Sequence, residues 1–240
     1  RLIRALRFTA QLDFEIEPST FAAMRDAAPR LSSVARERVR DELEKALLSE
    51  NPAKALRGLR DAELLTYTVP ELRECIGKTQ GSDSDYDLFE HLVLVCHFVP
   101  PRIELRLAAL FHDVAKAWTL QQSEDGRLLF PDHDRESASV TAQRLAELRF
   151  PKRTVEAATH LVRHHMFSYT SSTGDNALRR MISRLGRQAV QDLVTLRRAD
   201  IAGKRGRVVS LPLMDEMQDR LARLITEETA LSRKDLAVDG

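Results

Sequence analysis

Apolar residues recur every third or fourth position along most of this chain, and no long run of Val, Ile and Thr alternates with polar residues as a half-buried strand requires. Ala, Leu, Arg and Glu dominate, and nine glycines and nine prolines are few for 240 residues. Such a sequence favours long helices, so an all-α fold of packed helices is expected. A composition of 43% hydrophobic and 30% charged residues suits one large or two small domains with real cores and argues against disorder. No apolar run approaches the roughly 18 residues of a membrane span, and the opening RLIRALRF lacks a signal-peptide layout. Cys75 and Cys96 lack CxxC spacing, which points to core thiols in a reducing compartment. The expectation is a cytoplasmic protein with no membrane partner.

The chain opens inside a helix, with Leu2, Ile3, Leu6 and Ala10 on one face and Arg1, Arg4 and Arg7 beside it. That is expected of a piece of a longer protein. A second helix is predicted from Pro18 to about Ala28, a third capped by Ser32 or Ser33, and a fourth capped by Asn51-Pro52. The stretch from Gly77 to Asp85 reads as a linker, with further helices at about 86–99, 102–117, 135–148, 152–166, 176–186, 187–202 and 212–228. Residues 203–208 read as a basic loop, and Leu231 begins what looks like another element. The predicted units are 1–79, 80–208 and 209–240.

All seven histidines lie between His91 and His165, around one adjacent pair, His112-Asp113, with Asp200 further on. In the predicted helix 102–117, Leu105, Ala108, Ala109 and His112 share a face, so His112 points inward with Asp113 beside it. His91 aligns with Leu88, Val95 and Phe98 on another interior face. Neutral imidazoles and carboxylates gathered from several helices suit Zn, Mn, Fe, Co or Ni, and a partly open site of this kind polarises phosphoryl oxygens. His97 falls on a different face from His91 and reads as packing. His160, His164 and His165 compete for one role, with His164 or His165 the better fit. Lys116, one turn after His112, is placed to meet an anionic phosphate, and Arg163, Arg197 and Arg198 are weaker candidates. Between Arg179 and Arg207 nine Lys and Arg face only Asp192 and Asp200, so phosphate-bearing partners are expected. No Walker loop, GxGxxG, GxSxG or zinc-finger pair is present.

The series His91, His112-Asp113, His133, His164, Asp200 resembles the HD superfamily of metal-dependent phosphohydrolases. HDVAKAWT is similar to that superfamily's HDxGK stretch, with Ala115 where glycine is usual. The front, RLIRALRFTAQLDFEI, resembles the neck-helix segment (EDxxRxxRAxRFAAxLxF) of bacterial tRNA nucleotidyltransferases and poly(A) polymerases, including the class II CCA-adding enzymes. VARERVRDELEKALLSENPAKAL, LLTYTVPEL and FEHLVLV continue the likeness, which spans most of residues 1–205.

The resemblance implies a helical neck followed by an HD-superfamily bundle. Metal would be held by His91, His112, Asp113 and Asp200, with His133 and His164 or His165 on a second-metal or phosphate-facing side, and with Asp113 and Lys116 taking catalytic parts. The ion would be Ni, Mn, Co, Zn or Mg. Arg1, and beside it Arg4 and Arg7, would meet nucleotide or RNA. The implied substrates are 2′,3′-cyclic nucleotides and phosphomonoesters, and the implied partners are tRNA or other RNA, nucleotides and the family's nucleotidyltransferase head. The glycine-rich GGxxRD and paired DxD segments of that head are not in these 240 residues, so this stretch alone is not expected to add nucleotides. The competing expectations are an RNA-positioning scaffold with a vestigial HD site and, less favoured, a signalling-nucleotide hydrolase.

Overall fold

The computed structural model describes residues 1–81 and 84–236, with side chains to residue 227. It is helical nearly throughout. The front half holds α1 (Leu2–Leu12), α2 (Pro18–Asp26), a 3-10 turn (Ala28–Ser33), α3 (Arg36–Leu47), α4 (Pro52–Asp61), α5 (Leu65–Thr68) and α6 (Pro70–Glu74). The rest holds α7 (Leu88–Phe98), α8 (Ile103–Phe111), α9 (Lys116–Thr119), α10 (His133–Glu147), α11 (Lys152–His164), α12 (Asp175–Leu185), α13 (Arg187–Arg205) and α14 (Pro212–Leu236). Between α9 and α10 a small antiparallel hairpin pairs β1 (Gln121–Gln122) with β2 (Leu128–Leu129).

Proline and acidic or amide caps start several helices where the sequence places them. The Asn51 side chain accepts from the Lys54 amide at the head of α4, and the Glu17 carboxylate accepts from the Ser19 and Thr20 amides at the head of α2. The expected Ser32/Ser33 cap does not form. Both hydroxyls turn back to the carbonyls of Pro29 and Arg30, completing the 3-10 turn, and α3 begins three residues later without a side-chain cap. Two other expectations shift. The predicted basic loop 203–208 is instead helical through Arg205, and the chain turns at Gly206. The expected new element at Leu231 is a continuation of α14 through Leu236, while residues 237–240 lie outside the described residues.

In the front half α1 packs across α3 and α4, burying Ile3 and Leu6 against Val39, Leu43, Leu47, Leu56 and Leu59. α4 in turn lies on α7, and α7, α8, α11 and α13 enclose the second half's interior. One cluster of buried side chains runs without a break from Ile3 to Leu224, so the front helices brace the element that carries His91. Cys75 and Cys96 are fully buried free thiols in this core. Burial pushes both thiols up, Cys96 to about 11, which leaves them unreactive packing groups. Among the described residues no helix is long and apolar enough to cross a membrane.

Candidate metal centre

The sequence predicts one helix over 102–117, but α8 ends at Phe111 and four residues of tight turn follow before α9. The turn is closed by i to i+3 bonds, Val114 to Phe111 and Lys116 to Asp113. A regular helix would swing Asp113 about 100° away from His112. Here both side chains face the interior, at 1% and 2% exposure. Ala115 sits at φ −70°, ψ −13°, ordinary backbone for alanine, and its amide donates to Ser137 Oγ at 3.1 Å. The alanine in place of the usual glycine therefore introduces no backbone strain.

Five segments bring the polar residues together. His91 comes from α7, His112 and Asp113 from the turn after α8, His133 from the first turn of α10, His165 from the end of α11 and Asp200 from α13. Two donor sets result, His91, His112, Asp113 and Asp200 in one and Asp113, His133 and His165 in the other, with the ligand atoms of each set within 4.8 Å of one another. Asp113 belongs to both. Its Oδ2 lies 3.4 Å from His112 Nε2 and 3.8 Å from His91 Nε2, and its Oδ1 lies 3.3 Å from Nε2 of both His133 and His165. Asp200 Oδ1 is 3.3 Å from His91 Nε2.

The inward atoms share a second property. His91 Nε2, His112 Nε2, His133 Nε2, His165 Nε2, Asp113 Oδ1 and Asp200 Oδ1 are all buried without a hydrogen-bond partner. A native interior leaves only a few such atoms per hundred residues, and six converging on one point fit a cation. Meanwhile three of the imidazoles are fixed from behind. The Nδ1–H of His112 donates to the Ala109 carbonyl (2.9 Å), that of His133 to Phe130 (2.7 Å) and that of His165 to Val162 (2.7 Å). Each bond fixes its ring through Nδ1 and directs Nε2 at the carboxylates, so that the neutral imidazole presents its lone pair there. Nitrogen and carboxylate donors in this mixture suit Mn, Fe, Co, Ni or Zn better than Ca.

His91 is held differently, by packing. Its Nδ1 has no partner and rests against Gly203 of α13, where an added Cβ would lie 3.3 Å from Nδ1 and 2.5 Å from Val95 Cγ2. Bare Cα at 203 is what lets α13 approach α7 closely enough to set Asp200 beside His91. Neither Gly203 nor the three carbonyl anchors was singled out from sequence. The anchors' signal, a carbonyl three residues before each histidine, carries no side-chain identity to read.

Charges around the centre reinforce one another. Burial opposes ionisation of Asp113, but Lys116, His112 and His133 outweigh it and hold the carboxyl well below the usual range. Asp200 is likewise depressed, against burial, by His112 and His91. Burial would lower His112 too, yet the two aspartates raise it to about 9. Burial prevails at His91, which stays below its ordinary value. Lys116 Nζ is 2.5 Å from Asp113 Oδ2 and 5.3 Å from the centre of the Phe130 ring. On the far side Arg197 lies 3.4 Å and Lys204 3.9 Å from Asp200, so three partly exposed cations border the buried carboxylates.

Other expected residues lie elsewhere. The ring of His164 turns away from the cluster and meets His160 edge-on, with ring centres 4.8 Å apart, because the side chains of 164 and 165 diverge where α11 ends; His165 is the one brought to Asp113. His160 bonds the Leu185 carbonyl, and His97 packs edge-on against Phe98. Arg163 pairs with Asp134 and Arg198 with Asp215. Arg4 and Arg7 both reach Glu42 of α3, at 2.9 and 3.3 Å, and Arg1 borders the same shallow cavity as Arg4.

Residues 88–227 match the model of the HD domain. The chain belongs to the HD-domain family. Ahead of the HD domain, residues 13–76 match a model described as the probable RNA and SrmB-binding site of polymerase A, and the two in this order give the neck-plus-HD architecture of the CCA-adding and poly(A) polymerase family. Similar proteins include an A-adding tRNA nucleotidyltransferase of Deinococcus radiodurans, 40% identical over 86% of this chain and 49% of that protein. A CC-adding tRNA nucleotidyltransferase of Thermus thermophilus is 37% identical over the same shares. A multifunctional CCA protein of Xanthomonas axonopodis pv. citri is 28% identical over 100% of this chain and 61% of its own length. The chain thus spans about half the length of the first two.

Proposed function

We propose that the HD domain of this chain hydrolyses phosphoesters with a divalent metal, and that the chain is the neck and HD portion of a tRNA nucleotidyltransferase-like protein working in the cytoplasm. The observation that carries the first part is the set of six buried, unpartnered donor atoms converging on Asp113 and Asp200. A divalent cation bound there supplies Lewis acidity and lowers the pKa of water. The rest is the chain's own work. His91, His112, Asp113 and Asp200 hold one position, and His133 and His165 with the other oxygen of Asp113 hold the facing side. The carbonyls of Ala109, Phe130 and Val162 keep the imidazoles oriented. Lys116 steadies charge developing on the phosphoryl oxygens, and the apolar walls keep bulk water out.

The second part rests on the two family matches and the relatives. In this reading residues 1–79 form the neck, 80–208 the HD unit and 209–240 the start of a further body, with Arg1, Arg4 and Arg7 turned to nucleotide or tRNA. The deciding experiment is hydrolysis of 2′,3′-cyclic AMP by the purified chain with Mn, Co, Ni, Zn or Mg, beside Asp113→Asn. Metal-dependent turnover that disappears in the variant is the expected result. No turnover with any of these ions, from a folded chain, would remove the hydrolase reading. The RNA-binding match over 13–76 supports the second reading, in which the chain chiefly positions tRNA; binding that weakens steeply with salt and ignores chelators is its signature.

A further inference from the structure

His164 faces a second feature. Its half-buried ring borders an open groove of about 590 Å³ formed by the end of α11, the 166–173 segment, α12 and the start of α14. The volume lies within the roughly 300–1,000 Å³ usual for small-ligand sites. Met166, Phe167, Met181 and the buried Met217 give it an apolar, polarisable lining, while Arg180 and Arg184, one turn apart on α12, give it a cationic edge. No lining residue is acidic.

The arginines around this groove differ in how they are used. Arg179 pairs with Glu227, Arg220 with Asp175, Arg223 with both, and Arg198 with Asp215. Arg180 and Arg184 have no ion pair or hydrogen bond among the described residues. Two guanidiniums are thus left at the rim of an apolar trough. The trough adjoins the metal centre through one side chain: Phe167 lines the groove, and the Arg197 guanidinium that reaches Asp200 at 3.4 Å lies 5.7 Å from the Phe167 ring.

We infer that this groove is a nucleotide subsite for an RNA strand whose terminal phosphoester lies at the HD centre. The base rests against Phe167 and the methionines, and the phosphate of the same nucleotide is held by Arg180 and Arg184. The inference builds on the phosphoesterase reading and adds where the rest of the substrate sits. A flat base stacks on aromatic and thioether surfaces whatever its sequence, and a guanidinium holds phosphate with two parallel bonds. Inorganic phosphate would make no use of the apolar lining. An acidic peptide would match the arginines but has no planar face for the trough.

The test uses the whole chain and the double variant Arg180→Gln/Arg184→Gln, both substitutions at exposed positions. With Mn supplied, the preference in kcat/KM for a 3′-phosphorylated RNA trinucleotide over p-nitrophenyl phosphate is expected to fall about tenfold in the variant. In EDTA, fluorescence anisotropy with a labelled RNA pentanucleotide should show the slope of log K against log salt reduced by about 0.7, the value for one lost phosphate contact on a single strand. Phe167→Leu should weaken RNA binding while leaving that slope as it is. An unchanged trinucleotide preference with an unchanged slope overturns the subsite, as does equal binding of a hexaglutamate peptide at this groove. If the unmodified chain hydrolyses neither ester yet loses pentanucleotide binding through the double variant, the subsite stands and the hydrolase reading falls. If it hydrolyses both and the variant matches it throughout, the subsite alone falls.

Discussion

The front helices and the HD half use charge in opposite ways. In the front, ionic side chains pair one carboxylate with one or two cations at or near the surface: Arg4 and Arg7 share Glu42, Lys54 holds Asp13, and Arg57 of α4 pairs with Glu90 of α7. In the HD half two carboxylates and four imidazoles are driven into the interior, and their inward atoms remain without hydrogen bonds. Exposed pairs of the first kind contribute about 0–1 kcal/mol each. The buried set lowers stability unless something else binds it. One arrangement holds a shape, and the other stores binding capacity.

The sharpest way to break this contrast is Asp113→Asn. Because Asp113 serves both donor sets, the variant should lose metal at both positions, read by calorimetric titration with Mn, and lose hydrolysis at least about 100-fold; retained affinity at either position would show that the sets do not depend on a shared oxygen. In the front half the largest effect should come from apolar burial. Leu47→Ala, at a fully buried position, is expected to cost about 2–5 kcal/mol in urea unfolding while the metal affinity of the folded fraction stays the same.

Gly203→Ala tests the packing that joins the halves of the centre. The added methyl meets Val95, so overpacking should cost about 1–3 kcal/mol and weaken Mn binding about tenfold as Asp200 moves from His91. A stability loss with unaltered affinity would make the glycine a packing residue only.

Acidity gives a further separation. His112 is raised to about 9, so in the chelated chain its contribution to stability is complete below about pH 6.5 and is lost as pH rises through 9. A melting temperature that falls over that interval is expected, with Asp113→Asn flattening the profile. Metal needs the neutral ring, so Mn affinity should rise across the same interval. The smallest effect belongs to a partly buried ion pair of the front half: Glu42→Gln should shift stability by about 1 kcal/mol, and a larger loss would mean that the buried Arg7 Nε and Glu42 Oε2 make the Arg4–Arg7–Glu42 group structural.

Legibility from sequence followed the same division. Helices announced by proline and a capping side chain, such as α2 and α4, could be read because the signal is local. The Ser32/Ser33 start could not, since a hydroxyl that caps forward and one that bonds backward look alike in sequence. Of the centre, His91, His112, Asp113, His133 and Asp200 were visible as a pattern, but the choice between His164 and His165 depended on where α11 stops. The break after Phe111, which turns two adjacent side chains the same way, leaves no mark in apolar periodicity. The β1–β2 hairpin pairs only two residues on each side, too few to alternate visibly. Lys204 escaped notice because its importance comes from α13 running on past residue 202, where a loop was expected.

The backs of His112, His133 and His165 are held by the peptide carbonyls of Ala109, Phe130 and Val162. A support made of main chain presents no target to mutation: any residue that keeps the turn keeps the anchor. The aim of these three rings is thereby inherited with the fold itself, and sequence drift can reach it only by replacing the histidines or unravelling the turns that carry them.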